Sequence, residues 1–353
     1  MKVLFVLKEN HGNPYNLLLQ QGLKDLRIEC EHSIEHFFDS TKKYDIIHFQ
    51  WPEAIFNWKE ISNQDTLRVK QHIDRHKNDG AKIIYTRHND KPHLLQSNYH
   101  SLYSLIWSES HTIIDLLEDR LLVKKHSKLV GVPHGRYPAT ITPREKSLEL
   151  LNIPKPSFVI LVFGSVRNMK EQELIQNIFY ELKIPNKILI APGWGKATRP
   201  SLFKEPIARL KTEIKSKIFS IQPNVLTAAS FISEEDVKYY FSAANVVLLP
   251  RINTRNSGVL HLAFSHAKPV IGLNTGNIGV ILKDSNNFLF DGTSKSSIKK
   301  VCMKVSDSFR NGSLEKLGLI NLTYAEENWD WKSIAKQHLE IYSNAVNKNT
   351  LTQ

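Results

Sequence analysis

Two places in the second half of the chain combine residue types that can hold a phosphate. Between Ala244 and Asp291 a buried-type run, Val246 to Leu249, stops at Pro250, and Asn256-Ser257-Gly258 then opens an apolar helical pattern. A helix start has amides without intrahelical partners and the positive end of the dipole, so it favours an anion. Upstream, SFVILVF runs into Gly164-Ser165-Val166-Arg167-Asn168-Met169-Lys170, followed by a helix with Glu171 and Glu173 in its first turn. Arg167 and Lys170 there follow a strand, and two cations beside free amides can bind a diphosphate and meet the charge that grows on it as it leaves. Taken singly, Ser257 is an ordinary N-cap and Arg167 and Lys170 a solvated loop. Their placement in one half of the chain favours the joint phosphate reading.

The elements that must position these residues are legible from patterning. KVLFVL, YDIIHF, AKIIYT, KLVGV, SFVILVF, KILIAP, NVLTA, NVVLLP and PVIGL alternate with helical patterns. That alternation predicts an α/β protein with doubly wound parallel sheets covered by helices on both faces. Pro138, Pro143, Pro154 and Pro156 surround a short charged helix and mark a linker. The expected organisation is a Rossmann-like domain at 1–140, a linker at 141–156, a second Rossmann-like domain at 157–325 and a C-terminal helix at 326–353 packing back on the first domain. Ligands should bind at the strand C-termini of each half, in a cleft between two facing domains. The tail from Leu314 to Ala345 reads as two helices broken at Asn328 to Trp331.

Composition narrows the class. The 353 residues suit two domains of about 150 to 200 residues each. The 47 Lys and Arg against 35 Asp and Glu give a formal charge of +12, which favours acidic partners. The basic residues are dispersed, with no long basic run interleaved with aromatics, so a nucleic-acid partner is not expected. Two cysteines, Cys30 and Cys302, lie far apart and suggest no disulfide framework. No run approaches the roughly 18 apolar residues of a membrane span, and Met1 leads directly into a strand. The expected location is cytoplasmic, with peripheral contact at the inner face of the plasma membrane through the basic surface and an amphipathic segment from Ile113 to Lys125.

FGSVRNMKE, SFISEEDVKYYFSAANVVLLP and NSGVLHLAFSHAKPVIG, with the following NTGNIGVI, resemble the donor domain of GT-B glycosyltransferases of the glycosyltransferase group 1 type, over residues 157 to 292. HGNPYNLLL, IIHFQWPEA, RHNDKPH and VPHGRY are similar to bacterial polysaccharide glycosyltransferases, including mannosyltransferase-like members. The resemblance implies transfer of a sugar from a nucleotide diphosphate donor, GDP-mannose first and a UDP-sugar second, to a glycan or lipid-linked acceptor in surface polysaccharide synthesis. It implies no cofactor and no obligate metal, and the chain has no Asp-x-Asp motif for one. Arg167, Lys170, Asn256, Ser257 and Gly258 are then the donor-diphosphate residues.

The chain departs from the family where many retaining members carry a glutamate pair. Those positions fall near Thr254 or Arg255 and at Leu262, which favours an inverting reaction with a side-chain base. Such a base must reach the acceptor hydroxyl from the first half. Glu53, His88, Asp90 and His134 each follow an apolar run and are the candidates, with Asp90 and Glu53 ranked ahead of His88. Trp51, Trp58 and Trp107 are candidates to stack on a sugar ring. His72 and His76 have a metal-compatible spacing, but among Lys70, Arg75 and Lys77 they read as a basic helix face, so no metal site is expected. A nucleotide-sugar epimerase, and a basic nucleic-acid or membrane-surface binding module, are the alternative functions.

Overall fold

The computed structural model describes residues 1–9, 13–92, 97–117, 127–194, 206–227, 232–252, 254, 256–292 and 294–347. Met1–Gly135 together with Trp329–Gln353 form one compact unit, and Arg136–Asn328 form the other. Residues 141–156, read from the sequence as a linker, therefore lie within the second unit. They carry a helix, Arg144–Leu150, and the Arg144 guanidinium bonds Ala243 O, Ser157 O and Asn245 Oδ1, which ties the segment to the adjoining sheet.

In the first unit, strands β1 (Lys2–Phe5), β2 (Glu29–His32), β3 (Ile46–Phe49), β4 (Lys82–Arg87), β5 (Thr112–Asp115) and β6 (Leu129–Gly131) form one sheet in the order β2-β1-β3-β4-β5-β6. Every pairing is parallel. Helices α1 (Pro14–Asp25), α2 (Glu35–Phe38), α3 (Asn63–Asn78) and α4 (Ser97–Glu109) accompany it, with a single 3-10 turn at Pro52–Phe56. The strands read as continuous apolar runs because both faces are covered. Val3, Phe5, Ile46, Ile84 and Ile114 pack against α1 and the C-terminal helix Trp331–Asn347, through Tyr15, Leu19, Leu23, Ile334 and Tyr342. The alternate residues Leu4, Ile47, Phe49, Ile83 and Tyr85 pack against α3 and α4, through Val69, Ile73, Tyr99, Leu102 and Ile106. Asn13 caps α1, its Oδ1 accepting from Tyr15 N at 3.0 Å, with Pro14 at the first helical position.

The amphipathic reading of Ile113 to Lys125 is corrected here. Ile113 and Ile114 are wholly buried on opposite faces of β5, which lies between β4 and β6, and residues 118–126 lie outside the described ones. Three or four apolar residues cannot announce whether the period is 2 or 3.6. Strand β2 is the polar tetrapeptide ECEH at a sheet edge and carries no apolar run to find.

The second unit repeats the plan. Strands β7 (Phe158–Leu161), β8 (Lys187–Ala191), β9 (Val225–Thr227), β10 (Val246–Leu249), β11 (Val270–Leu273) and β12 (Phe288–Phe290) are parallel, in the order β12-β11-β10-β7-β8-β9. Helices α5 (Arg144–Leu150), α6 (Met169–Glu181), α7 (Pro206–Ser220), α8 (Glu234–Ala243), α9 (Gly258–Ser265), α10 (Gly276–Asp284), α11 (Lys295–Arg310) and α12 (Ser313–Asn328) belong to it, and Trp331–Asn347 is α13. Phe158, Ile160, Leu189, Leu248 and Ile271 pack on Leu174, Ile175 and Ile178 of α6 and on Ile298, Val301 and Val305 of α11. Numbered within this unit, the strand order is the dinucleotide-binding one, whose direction of winding reverses between β7 and β10. In the first unit the reversal falls between β1 and β3.

Histidine burial differs between the units. In the first, His76, His134 and His338 are held down to about 4, chiefly by burial, and burial also pushes His48 well below the imidazole range. In the second, burial holds His266 down to about 4. A group whose folded pKa lies below its unfolded value stabilises above the unfolded pKa and loses that contribution as pH falls through the folded one. Fully buried His134 and His338 each contribute up to about 3 kcal/mol in this way. We therefore expect acidification from pH 7 toward pH 4 to unfold the first unit before the second, read by hydrogen exchange of the intact chain. Loss of protection in the second unit first would contradict this assignment.

Candidate functional site

At the β7–β10 reversal of the second unit, the chain leaves β7 through Gly164 at φ +79°, a conformation open to glycine at little cost. The turn lies directly on the backbone after β8. Val166 N donates to Gly193 O at 3.0 Å, and a Cβ on Gly193 would come within 2.3 Å of Gly164 O. Asn168 caps α6, its Oδ1 accepting from Glu171 N at 3.0 Å.

Glu171 is buried, and its Oε2 accepts from Arg167 N at 2.8 Å and from Arg251 Nη1 at 3.1 Å. Arg251 follows β10 directly, is 5% exposed, and also donates to Ser165 O at 2.9 Å. Burial pushes the Arg251 guanidinium pKa down, and the Glu171 carboxylate opposes that shift. This buried pair joins the two loops that flank the reversal. Neither partner was among the candidates; a charged residue directly after Pro250 at the end of a wholly apolar strand was the available signal.

The phosphate candidates gather around these loops. Half-buried Arg167 donates from Nη1 to Thr254 Oγ1 at 3.3 Å, which sets it beside the segment that leads into α9. Lys170 is exposed in the first turn of α6. Ser257 occupies the N-cap of α9 with an extended backbone, yet makes no side-chain capping bond. Gly258 admits Tyr137 to the helix start, because a Cβ there would meet the phenol oxygen at 3.0 Å. Burial pushes the Tyr137 phenol up, so it remains a hydrogen-bond donor. Both side-chain amide atoms of Asn256 are buried without a hydrogen-bond partner among the described residues. Buried polar groups are rarely left so, and an amide next to an uncapped helix start is suited to an oxyanion ligand. Arg255 lies outside the described residues, and Leu262 is half-buried in α9.

In the first unit, strand ends bring together a different set. His88 follows β4, and its ring stacks on Trp51 at 3.9 Å between centroids and 17° between planes. Tyr15 meets His88 edge-on at 5.0 Å and His134 at 4.9 Å. Trp51 is therefore engaged by His88, Trp58 is partly exposed, and Trp107 lies 5.3 Å from the Arg87 guanidinium. His134 is buried and its Nδ1–H donates to Gly135 O at 2.7 Å; burial holds it down to about 4, a neutral imidazole at pH 7.

Asp90 is the exposed member, 3.7 Å from Arg87 Nη1. Arg87 also pairs with buried Asp115, its register neighbour on β5. Glu53, expected near the acceptor or at the surface, is instead wholly buried in the turn at Pro52–Phe56, where Tyr103 donates to its Oε2 at 2.7 Å. A proline-led 3-10 turn after β3 points that carboxylate inward toward α4, which no spacing rule foretells. Behind His88 lie two buried polar residues that the sequence reading passed over. His88 Nε2 and Gln50 Oε1 are 2.7 Å apart, and Gln50 Nε2 lies 3.2 Å from His48 Nε2. Alternating His and Gln in the otherwise apolar run IIHFQW was their signal.

No protein-family model matches the chain. It is 23% identical, over 98% of its own length and 93% of the other protein, to the GDP-mannose:glycolipid 4-beta-D-mannosyltransferase of Xanthomonas campestris pv. campestris. Among solved structures it is similar to sucrose-phosphate synthase of Thermosynechococcus elongatus, with TM-score 0.69, 13% identity and coverage of 98% and 99% of the two chains. It is also similar to Anabaena HepE, solved with UDP-glucose, with TM-score 0.67, 14% identity and coverage of 98% and 100%. These are GT-B glycosyltransferases, and the likeness establishes the GT-B fold read from the sequence.

The buried pair yields a direct test. Removing one partner of a buried ion pair strands the other, at a cost of about 3–5 kcal/mol. Arg251→Met should lower stability by that amount in urea unfolding, and Glu171→Gln in the same chain should recover part of it. A loss under about 1 kcal/mol would show that the pair does not hold the two loops together.

Proposed function

We propose that the chain is a glycosyltransferase that moves a sugar from a nucleotide diphosphate donor, GDP-mannose in the first instance, to a glycolipid or glycan acceptor. The observation that carries this reading is the convergence at one strand reversal of Arg167, the uncapped start of α9 and the unpartnered Asn256 amide, in the GT-B fold. Full-length similarity to a GDP-mannose:glycolipid mannosyltransferase supports the choice of donor and acceptor class. Structures of HepE with UDP and with UDP-glucose keep a UDP-sugar as the second donor.

The chemistry assigned to this chain's residues is a displacement at the anomeric carbon. A base takes the acceptor hydroxyl proton, the oxygen attacks, and the bond from the anomeric carbon to the diphosphate oxygen breaks. Charge accumulating on the departing diphosphate is met by the Arg167 guanidinium, the Lys170 ammonium, the amides of α9 and the Asn256 side chain. Protein cations in this role make the reaction independent of a divalent metal. Leu262, where retaining relatives place a glutamate, fits an inverting course, and a β product from an α-linked donor is an inversion.

Among the base candidates the geometry favours His88. It is oriented by Trp51 and Gln50, whereas Glu53 is buried against Tyr103, His134 donates to a backbone carbonyl, and Asp90 lies beside Arg87. No helix among the described residues is long and apolar enough to cross a membrane. A lipid-linked acceptor would then be reached by peripheral contact, for which the formal +12 charge suits an anionic leaflet.

Ligand binding and sugar transfer both test the proposal. A ligand that binds only the folded chain raises its melting temperature, so GDP should raise Tm more than UDP, and AMP should have no effect. Transfer of labelled mannose from GDP-mannose to a glycolipid acceptor should persist in excess EDTA. Arg167→Ala and Lys170→Ala should each lower kcat/KM by on the order of 10²-fold while shifting Tm little. Conversion of the donor to a free epimer without an acceptor would identify an epimerase instead.

A further inference from the structure

His48, Gln50, Thr86 and Tyr342 are all buried in the first unit, and none of them belongs to the phosphate site or to the base candidates. They are joined in a line. His48 Nδ1 is 2.7 Å from the Tyr342 hydroxyl on α13, and His48 Nε2 is 2.8 Å from Thr86 Oγ1 on β4. Gln50 Nε2 approaches the same His48 Nε2 at 3.2 Å, and Gln50 Oε1 meets His88 Nε2 at 2.7 Å. Strand geometry accounts for the line: His48 and Gln50 are two apart at the end of β3, hence on one face, and Thr86 and His88 are two apart at the end of β4. Gln50 lies where the first sheet reverses its winding, the ligand-binding end of such sheets.

The hydrogen-bond chemistry of the line has a direction. Gln50 Oε1 only accepts, so His88 Nε2 must carry the proton. Gln50 Nε2 only donates, so His48 Nε2 presents its lone pair to it and to the Thr86 hydroxyl, which donates as well, and His48 Nδ1–H then donates to the Tyr342 oxygen. A neutral His48 is required for this, and its burial holds it neutral. With its proton on Nε2, His88 keeps its basic lone pair on Nδ1. Stacking on Trp51 and the Tyr15 edge contact restrict rotation of the ring about that arrangement.

We infer that Gln50, backed by His48 and Tyr342, is a positioning residue that fixes His88 as the Nε2–H tautomer and so presents Nδ1 as the nitrogen that takes the acceptor proton. This rests on the proposed reading of His88 as the base. A base held in one tautomer and one orientation acts without a preceding rearrangement, and the wrong tautomer in such a role costs orders of magnitude in rate.

The test compares Gln50→Leu with Gln50→Glu by two readouts on the full chain. The first is the ¹⁵N shifts of the His88 ring nitrogens at pH 8, above the ordinary imidazole range, which identify the tautomer without any reaction. Wild type should show Nε2–H alone, Gln50→Leu a mixture of tautomers, and Gln50→Glu a return to Nε2–H, because a carboxylate oxygen still accepts that proton. In Gln50→Glu the His48 tautomer should reverse, with its Nε2–H now donating to the carboxylate.

The second readout is mannose transfer. Gln50→Leu should lower kcat by on the order of 10- to 100-fold with KM for the donor unchanged, and Gln50→Glu should recover most of that loss. Dispersed amide spectra for both variants establish that they fold. Proton on Nδ1 of His88 in wild type, or one unchanged tautomer in Gln50→Leu, would overturn the inference whatever the transfer assay shows. Tautomer changes as described in a chain that transfers no sugar would leave the relay standing and remove the proposed function.

Discussion

Everything in this protein depends on parallel strands buried on both faces. A parallel sheet covered by helices hides its ladder and its side chains alike, so the only sheet surfaces open to chemistry are the loops at the strand ends. Each unit obeys this constraint separately. In the first, the loops after β3 and β4 carry Gln50, Trp51, Glu53 and His88; in the second, the loops after β7 and β10 carry Arg167 and Arg251. The apolar interior that fixes the strands also sets how costly any polar group near them is, and each such group must find a partner.

That cost explains the two polar constructions found at the reversals. In the second unit an ion pair, Glu171–Arg251, is buried just beneath the loops, and its carboxylate also holds the backbone of Arg167. The pair ties together the two loops that flank the reversal. The first unit buries Glu53 and Asp115, the latter paired with Arg87, as well as a line of histidine, glutamine and tyrosine that ends at His88.

Much of this was legible in sequence and some was not, for specific reasons. SFVILVF and NVVLLP announced β7 and β10 because a strand buried on both faces needs an unbroken apolar run, and the loops after them could be placed from that alone. Asn13-Pro14 announced the start of α1 because cap and first-turn residues act locally. Strand β5 was missed because a four-residue run does not reveal its period. Glu53 was read as open to an acceptor; its burial against Tyr103 depends on a 3-10 turn and on α4, some fifty residues later. Arg251 and Gln50 were passed over because Glu171, the partner of Arg251, and His88, a partner of Gln50, lie on other elements.

By itself the sequence determined the class of fold and the places of its long apolar strands along the chain, and it offered candidates for a phosphate site. These follow from local rules: periodicity, caps and the residue types that follow apolar runs. The tertiary structure alone decided which strands are neighbours, where the winding reverses, and which polar side chains share a buried bond. Hydrogen bonds and ion pairs act over about 3 Å in space, and residues as far apart as His48 and Tyr342 reach that distance only once the sheet and its helices have packed.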